Sequence, residues 1–252
     1  MRSKEEMNMG DANVLGPPER LVRSPWPERT DRSAVKIKDK VEEADFKGII
    51  DFAVKLGAME GTAISARDIV TNDLMTMKCR IPTCWGYNSS YSCPPRTVTT
   101  SDMQAIIDDF EWALLLHVPP PEPDAPYSDF YEYMNNMKEI IGRTEVEAQY
   151  TGYVNSMGFT GGPCTICGMF SLEWIASRKA NEEPFLCTLL TREWGFCMQY
   201  YHCRPSVQAV GIDMYATGRN AGWEDKLALP LPVRQGRVDW PCLPGVYPIL
   251  IM

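Results

Sequence analysis

W-A-L-L-L-H-V, residues 112–118, decides the fold. The run is apolar without alternation, too short for a typical helix, and stopped by Pro119, Pro120 and Pro121. A strand with no polar face is one covered on both sides, so this stretch reads as a buried strand in a central sheet flanked by helices. Upstream, Phe46, Ile49, Ile50, Ala53 and Leu56 recur at helical spacing, which predicts an amphipathic helix over 41–56 with Gly57 as its C-cap. I-S-A-R-D-I-V, residues 64–70, reads as a strand or extended edge. Ser101 with Gln104 predicts a capping box opening a short helix to Phe110. Downstream, Ser128 reads as the cap of a long helix, with Met134, Met137, Ile141, Tyr150 and Tyr153 close to one stripe, ending near Gly158. S-L-E-W-I-A-S-R-K-A-N-E-E, residues 171–183, reads as helical; Pro205 suits the first turn of another helix; V-Y-P-I-L-I-M closes as a strand. No internal repeat is evident. Strands interleaved with helices predict one compact α/β or α+β domain over residues 36–252.

Residues 1–35 differ in character. P-P-E-R-L-V-R-S-P-W-P-E-R-T-D-R mixes prolines with charges, and Leu21 and Trp26 are its large apolar groups. This is the composition of an extended arm, one that drapes over a second copy of the chain or remains solvated.

The whole chain has 252 residues, 44% of them apolar, enough for a core without covalent staples. The start shows neither the apolar core nor the cleavage site of a signal peptide, and no run is long enough for a membrane span, so a cytoplasmic protein is expected. A net charge of −8, with pI near 4.9 and no clustered basic face, excludes a nucleic-acid partner.

Nine cysteines are present, and eight fall into two groups. Cys79, Cys84 and Cys93 lie in K-C-R-I-P-T-C-W-G-Y-N-S-S-Y-S-C-P-P-R, too rich in Pro, Gly, Asn and Ser to be regular, which places them on a loop. Cys164, Cys167, Cys187, Cys197 and Cys203 run from G-G-P-C-T-I-C to F-C-M-Q-Y-Y-H-C-R-P-S. In a reducing compartment a disulfide framework is the weaker account of these thiols; gathered thiolates with only His117 and His202 as nitrogen donors point to a soft metal.

Together, C-x4-C-x8-C-P-P, the strand A-L-L-L-H-V, G-P-C-x-x-C and C-x6-R-P-S-x-x-A-x-G-I-D resemble the cysteine-rich "predicted metal-binding protein" family of anaerobic bacteria and archaea, over a span from about Val41 to the C-terminus. The resemblance implies iron-sulfur binding. Carried over by position, it implies Cys79, Cys84 and Cys93 as one ligand set and Cys164, Cys167 and Cys197 in the other. Where the family has a third cysteine separated from Cys167 by two residues, this chain has Phe170 and an inserted segment, and Cys187 takes that role. Cys203 falls where the family more often has a small non-ligand residue.

The residues carry the same chemistry unaided. A cubane cluster takes four thiolates from loops, a C-x2-C turn among them, and Cys164, Cys167, Cys187 and Cys197 satisfy this. Gly161 and Gly162 let backbone N–H groups approach sulfide. A zinc knot usually shows two short pairs, and here there is one. The first group has three cysteines. Either Cys203, His202 or Cys242 completes it, or one iron stays open to act as a Lewis acid on an oxygen-bearing substrate. The spacing is not the C-x3-C-x2-C that binds adenosylmethionine.

Other residues have plainer readings. Arg96 and Arg204 either offset the charge of a thiolate-bound cluster or are ordinary loop arginines; Tyr87, Tyr91, Tyr200 and Tyr201 wall off the cysteines or pack beside them. Asp213 reads as a local cap, His117 as a satisfied core histidine, and the fourteen methionines as core filler. No phosphate loop, Ser-His-Asp order or carboxylate pair suggests another active site. The expectation is an iron-sulfur protein with two 4Fe-4S clusters, passing electrons to a redox partner or serving as an accessory subunit of an anaerobic enzyme. The alternatives are an enzyme in its own right using an open iron on the three-cysteine loop, and a zinc-stapled interaction module.

Overall fold

The computed structural model describes residues 38, 43–81, 84, 86–122, 125, 127–164, 166, 197, 202–227 and 245–252. The arm over 1–35, the helix read over 171–183, and Cys167, Cys187 and Cys242 lie outside the described residues.

The apolar run forms the strand Trp112–His117 (β2), antiparallel on one side to Glu60–Ser65 (β1) and on the other to Val246–Ile251 (β4). Leu114 stands opposite both Ala63 and Ile249. Met157–Gly158 (β3) pairs antiparallel with β4, so the order is β1-β2-β4-β3. Every described pair of sheet strands is antiparallel, which makes the fold α+β. Pro248 lies within β4 without interrupting it. Phe159 N donates to its carbonyl at 3.0 Å, and a residue's N–H and C=O point to the same side of a strand, so the donor that proline lacks faces short β3.

Both sheet faces are covered, which is why the run shows no alternation. Leu114, Leu116, Val118, Tyr247 and Ile249 pack on Phe46, Ile49 and Ala53 of helix Glu43–Leu56 (α1) and on Met134, Met137 and Ile141 of helix Tyr127–Thr151 (α4). On the other face Ala113, Leu115 and Leu250 meet Met103 and Ile107 of helix Thr100–Asp108 (α3), together with Val207, Val210 and Ile212. The methionines of α4 are core filler as read: Met134 and Met137 are fully buried.

Several boundaries move for local reasons. α1 ends as read: Gly57 has φ +119°, its N–H bonds Val54 O at 3.0 Å, and Ala58 N bonds Ala53 O at 3.1 Å. These two bonds form the Schellman closure. The first strand ends at Ser65 rather than running to Val70, because the Ser65 side chain caps a 3-10 turn over Ala66–Asp68. Asp73–Arg80 is a helix (α2) with Asn72 as its cap, so Cys79 sits in a last helical turn and not on a loop. The capping box before α3 is Thr99 with Asp102, not Ser101 with Gln104. Gln104 instead accepts from Thr71 Oγ1 at 2.7 Å and donates to Asp108 at 2.8 Å. α4 begins at Tyr127, so Ser128 lies within it, and it stops at Thr151 with Gly152 at φ +116°. Tyr153 therefore leaves the stripe and donates its hydroxyl to Asp45 at 2.5 Å.

The segment after Pro205 is not one helix. It makes a 3-10 turn over Gln208–Val210, reverses at Gly211 with φ +84°, and opens helix Met214–Asn220 (α5). Asp213 caps α5 by accepting from Tyr215 N and Ala216 N, the local role read for it. A Cβ on Gly211 would fall 2.5 Å from Thr100 Oγ1, in a backbone conformation that disfavours side chains. Gly211→Ala is expected to destabilise by about 1–3 kcal/mol. Urea unfolding checks this, and an unchanged midpoint would contradict the packing.

Candidate metal centre

The cysteines reach their positions through the ten residues Arg204–Asp213, which stitch the two cysteine segments to each other. Asn72 N, at the mouth of α2, donates to Gly211 O at 2.7 Å, and Asp213 N to Val70 O at 2.8 Å. Ser206 N donates to Ser92 O at 3.0 Å, and Thr97 Oγ1 to Ala209 O at 3.1 Å, which fixes both flanks of Cys93. Val207 N donates to Thr160 O at 2.8 Å and Thr160 N to Pro205 O at 2.9 Å, which fixes the approach to Cys164. The sequence signature is thus a scaffold.

In the first group, Cys79 lies in the last turn of α2 and its carbonyl accepts from Cys84 N at 3.1 Å. Gly86 N points at Cys84 Sγ at 3.4 Å, and Tyr87 N closes a turn on Cys84 O at 2.9 Å. Asn88, at φ +58°, donates its N–H to Pro94 O at 2.7 Å and folds the chain back so that Cys93 is buried behind Gly86. Burial, and then the charge of Cys84, pushes the Cys79 thiol up to about 11, against a smaller lowering by Arg80. Burial and then the charges of Cys79 and Cys84 push Cys93 up as well. Gly86, two residues after Cys84, lies against Cys93 Sγ, so the segment folds Cys84 and Cys93 toward each other. Such a set keeps its protons until a cation displaces them.

The second group gathers Cys164, Cys197 and Cys203. The Cys203 thiol hydrogen-bonds to both Cys164 and Cys197, which together with burial holds its own proton firmly. Cys164 is shifted the opposite way, chiefly by the bond from Cys203, with help from Lys138 and the backbone of Ile166. The shared bond favours the thiolate at Cys164 and the thiol at Cys203. Cys203 therefore lies beside Cys164 and Cys197.

The groups adjoin. Cys164 N donates to Ser92 Oγ at 2.7 Å, Ser92 and Ser90 hydroxyls share a hydrogen bond at 2.8 Å, and Ser92 precedes Cys93. A Cβ on Gly86 would lie 3.4 Å from both Cys93 Sγ and Pro163. The sulfurs as placed do not close a cage: among the described residues no three His, Cys, Asp or Glu side chains are grouped tightly enough to hold a metal ion. The donor set is nonetheless uniformly sulfur in two converging trios, which suits a soft metal, and Cys167 and Cys187 lie outside the described residues.

Neighbouring residues sort themselves by partner. Arg204 grips Glu145 with Nε to Oε2 and Nη2 to Oε1, both at 2.6 Å, and Glu145 Oε2 also accepts from Gly158 N at 2.7 Å. Its charge is therefore matched by a carboxylate. Arg96 stacks over Tyr91 at 5.3 Å, and Tyr91 is exposed. His202 Nδ1 is buried and makes no hydrogen bond among the described residues; burial lowers its proton affinity, opposed by the charge of Glu139 and helped by Arg204 and Arg143. His117 Nδ1 lies 3.3 Å from Glu60 at the sheet edge. Tyr200 and Tyr201 lie outside the described residues. A groove of about 600 Å³ opens between Gly57, Pro119–Pro121 and the α4 residues Asp129, Glu132, Glu139 and Arg143, but no cysteine lines it, so the thiol chemistry lies elsewhere.

Lys138 and Glu145 escaped the sequence reading. The signal was present: Met134, Lys138, Ile141 and Glu145 follow helical spacing, so a lysine and a glutamate stand on the apolar stripe of α4.

No described helix is long and apolar enough to cross a membrane. A family model described as "Predicted metal-binding protein (DUF2284)" matches residues 62–230, a span that holds both cysteine groups. No curated protein and no solved structure matches.

Proposed function

Since the chain belongs to this predicted metal-binding family, we propose that it is an iron-sulfur protein with two 4Fe-4S clusters that relays electrons to a redox partner or serves as an accessory subunit of an anaerobic enzyme. The observation that carries the reading is the meeting of two sulfur trios across the Ser90–Ser92 hydroxyl pair. Cys79, Cys84 and Cys93 hold one cluster; Cys164, Cys167, Cys187 and Cys197 hold the other, with Cys203 as a hydrogen-bond donor to its sulfurs. When bound, such clusters supply one-electron transfer at potentials set by charge, burial and hydrogen bonds to sulfur. Side-by-side placement is what a relay needs, since electrons pass between centres without a moving part. Gly86 N aimed at Cys84 Sγ, and the Cys203 thiol aimed at Cys164, are the kinds of bond that stabilise a reduced cluster. Around the first group, Ser89, Ser90 and Ser92 are buried, which keeps water from the sulfurs on that side. A cytoplasmic setting keeps the thiols reduced for loading.

Protein purified without oxygen is expected to be brown, to absorb broadly in the visible blue, and to bleach on reduction. Colourless protein with stoichiometric zinc would refute the proposal in favour of the zinc-stapled module.

A further inference from the structure

Lys138 is fully buried on α4, with Nζ donating to Met134 O at 3.2 Å and to Gly161 O at 3.4 Å. Gly161 opens the G-G-P-C turn, and Cys164 at its end is held by Ser92, the neighbour of Cys93. The lysine thus enters from the helix layer at the seam where the two cysteine segments meet. Taking an ammonium out of water costs several kcal/mol, and a buried lysine persists where anionic groups and acceptors surround it.

Resting on the reading that thiolate-bound metal occupies both groups, we propose that Lys138 is a positioning residue shared by the two centres: its ammonium offsets the negative charge of both and pins the Gly161 turn, so that they load and hold metal as a coupled pair. In a coupled pair, loss of this cation weakens metal binding at both centres and makes both harder to reduce.

The test uses the full chain under anoxia with Co²⁺ as probe, read by the thiolate-to-cobalt absorption bands. Cys93→Ser and Cys164→Ser backgrounds isolate one group each. Lys138→Met is expected to lower Co²⁺ affinity roughly 10- to 100-fold in both backgrounds. In iron- and sulfide-loaded protein it is expected to shift both reduction potentials to more negative values. Metal-free thermal stability should be kept or raised, because a methionine of similar size removes a buried charge. Lys138→Arg, which keeps the charge, should recover most of the affinity; if Lys138→Met does not fold, Lys138→Gln replaces it in the comparison. An affinity loss confined to one group, or a loss of metal-free stability with Co²⁺ affinity unchanged, overturns the proposal. Wild-type protein that binds Co²⁺ but assembles no cluster with iron and sulfide refutes the iron-sulfur reading alone and leaves the cobalt comparison valid.

Discussion

Arg204→Met is expected to lower the unfolding free energy by about 3–5 kcal/mol, because it strands a buried carboxylate. The Glu145 side chain is 6% exposed and Arg204 12%, and both guanidinium bonds are 2.6 Å, so solvent screens the pair little. In the variant Glu145 keeps the Gly158 N–H at 2.7 Å and a long contact from Gln149 at 3.4 Å, too little to solvate a full charge. The double variant Arg204→Met, Glu145→Met removes both charges and should recover most of the loss, since apolar replacements of buried pairs are often neutral. Urea unfolding of the two variants measures this. A single-variant loss under about 1 kcal/mol would place the pair in the weak class of surface bridges.

Cys164→Ser is expected to remove the metal of the second group, roughly half the iron of a two-cluster protein, and to lower stability, because ligation and folding share their free energy. Cys164 is buried, accepts the Cys203 thiol proton bond and is shifted toward thiolate, whereas serine offers an oxygen that a soft metal disfavours. Iron and sulfide content per chain, with unfolding in parallel, measures the effect. Unchanged iron would strike Cys164 from the ligand set. Cys203→Ser supplies the contrast: a hydrogen-bond donor to the sulfurs can be replaced by a hydroxyl with the cluster retained, whereas a ligand cannot.

What was legible in the sequence follows from the strength of the local signal. The run 112–118 gave both the central strand and its two covered faces, because burial on both sides erases alternation. The closing strand and α1 were read to within a few residues, α1 through an unbroken helical stripe and Gly57. The helix Asp73–Arg80 went unread since Leu74, Met77 and Ile81 point outward, leaving no apolar stripe on the core side except Met75. The strand Glu60–Ser65 was misplaced because it carries Gly61, whose lack of a side chain lets Ile50 and Leu116 close over it, a tertiary reason invisible locally. The convergence of Cys164 with Cys197 and Cys203 is set by Thr160 and Ser206, whose pairing joins distant segments. The cysteine positions were plain in the sequence, but the scaffold joining them was read as the start of a helix.

β4 is an interior strand: it slides between β2 and β3, pairing residue 249 with residue 114 on one side and residue 158 on the other. Without those six residues β2 loses one of its two neighbours and β3 its only described one, and Val207, Val210 and Ile212 lose Leu250 from the face they pack on. The sheet therefore closes through a pairing of high sequence separation, residue 249 with residue 114, which is the kind of contact that forms slowly because a long loop must be ordered first.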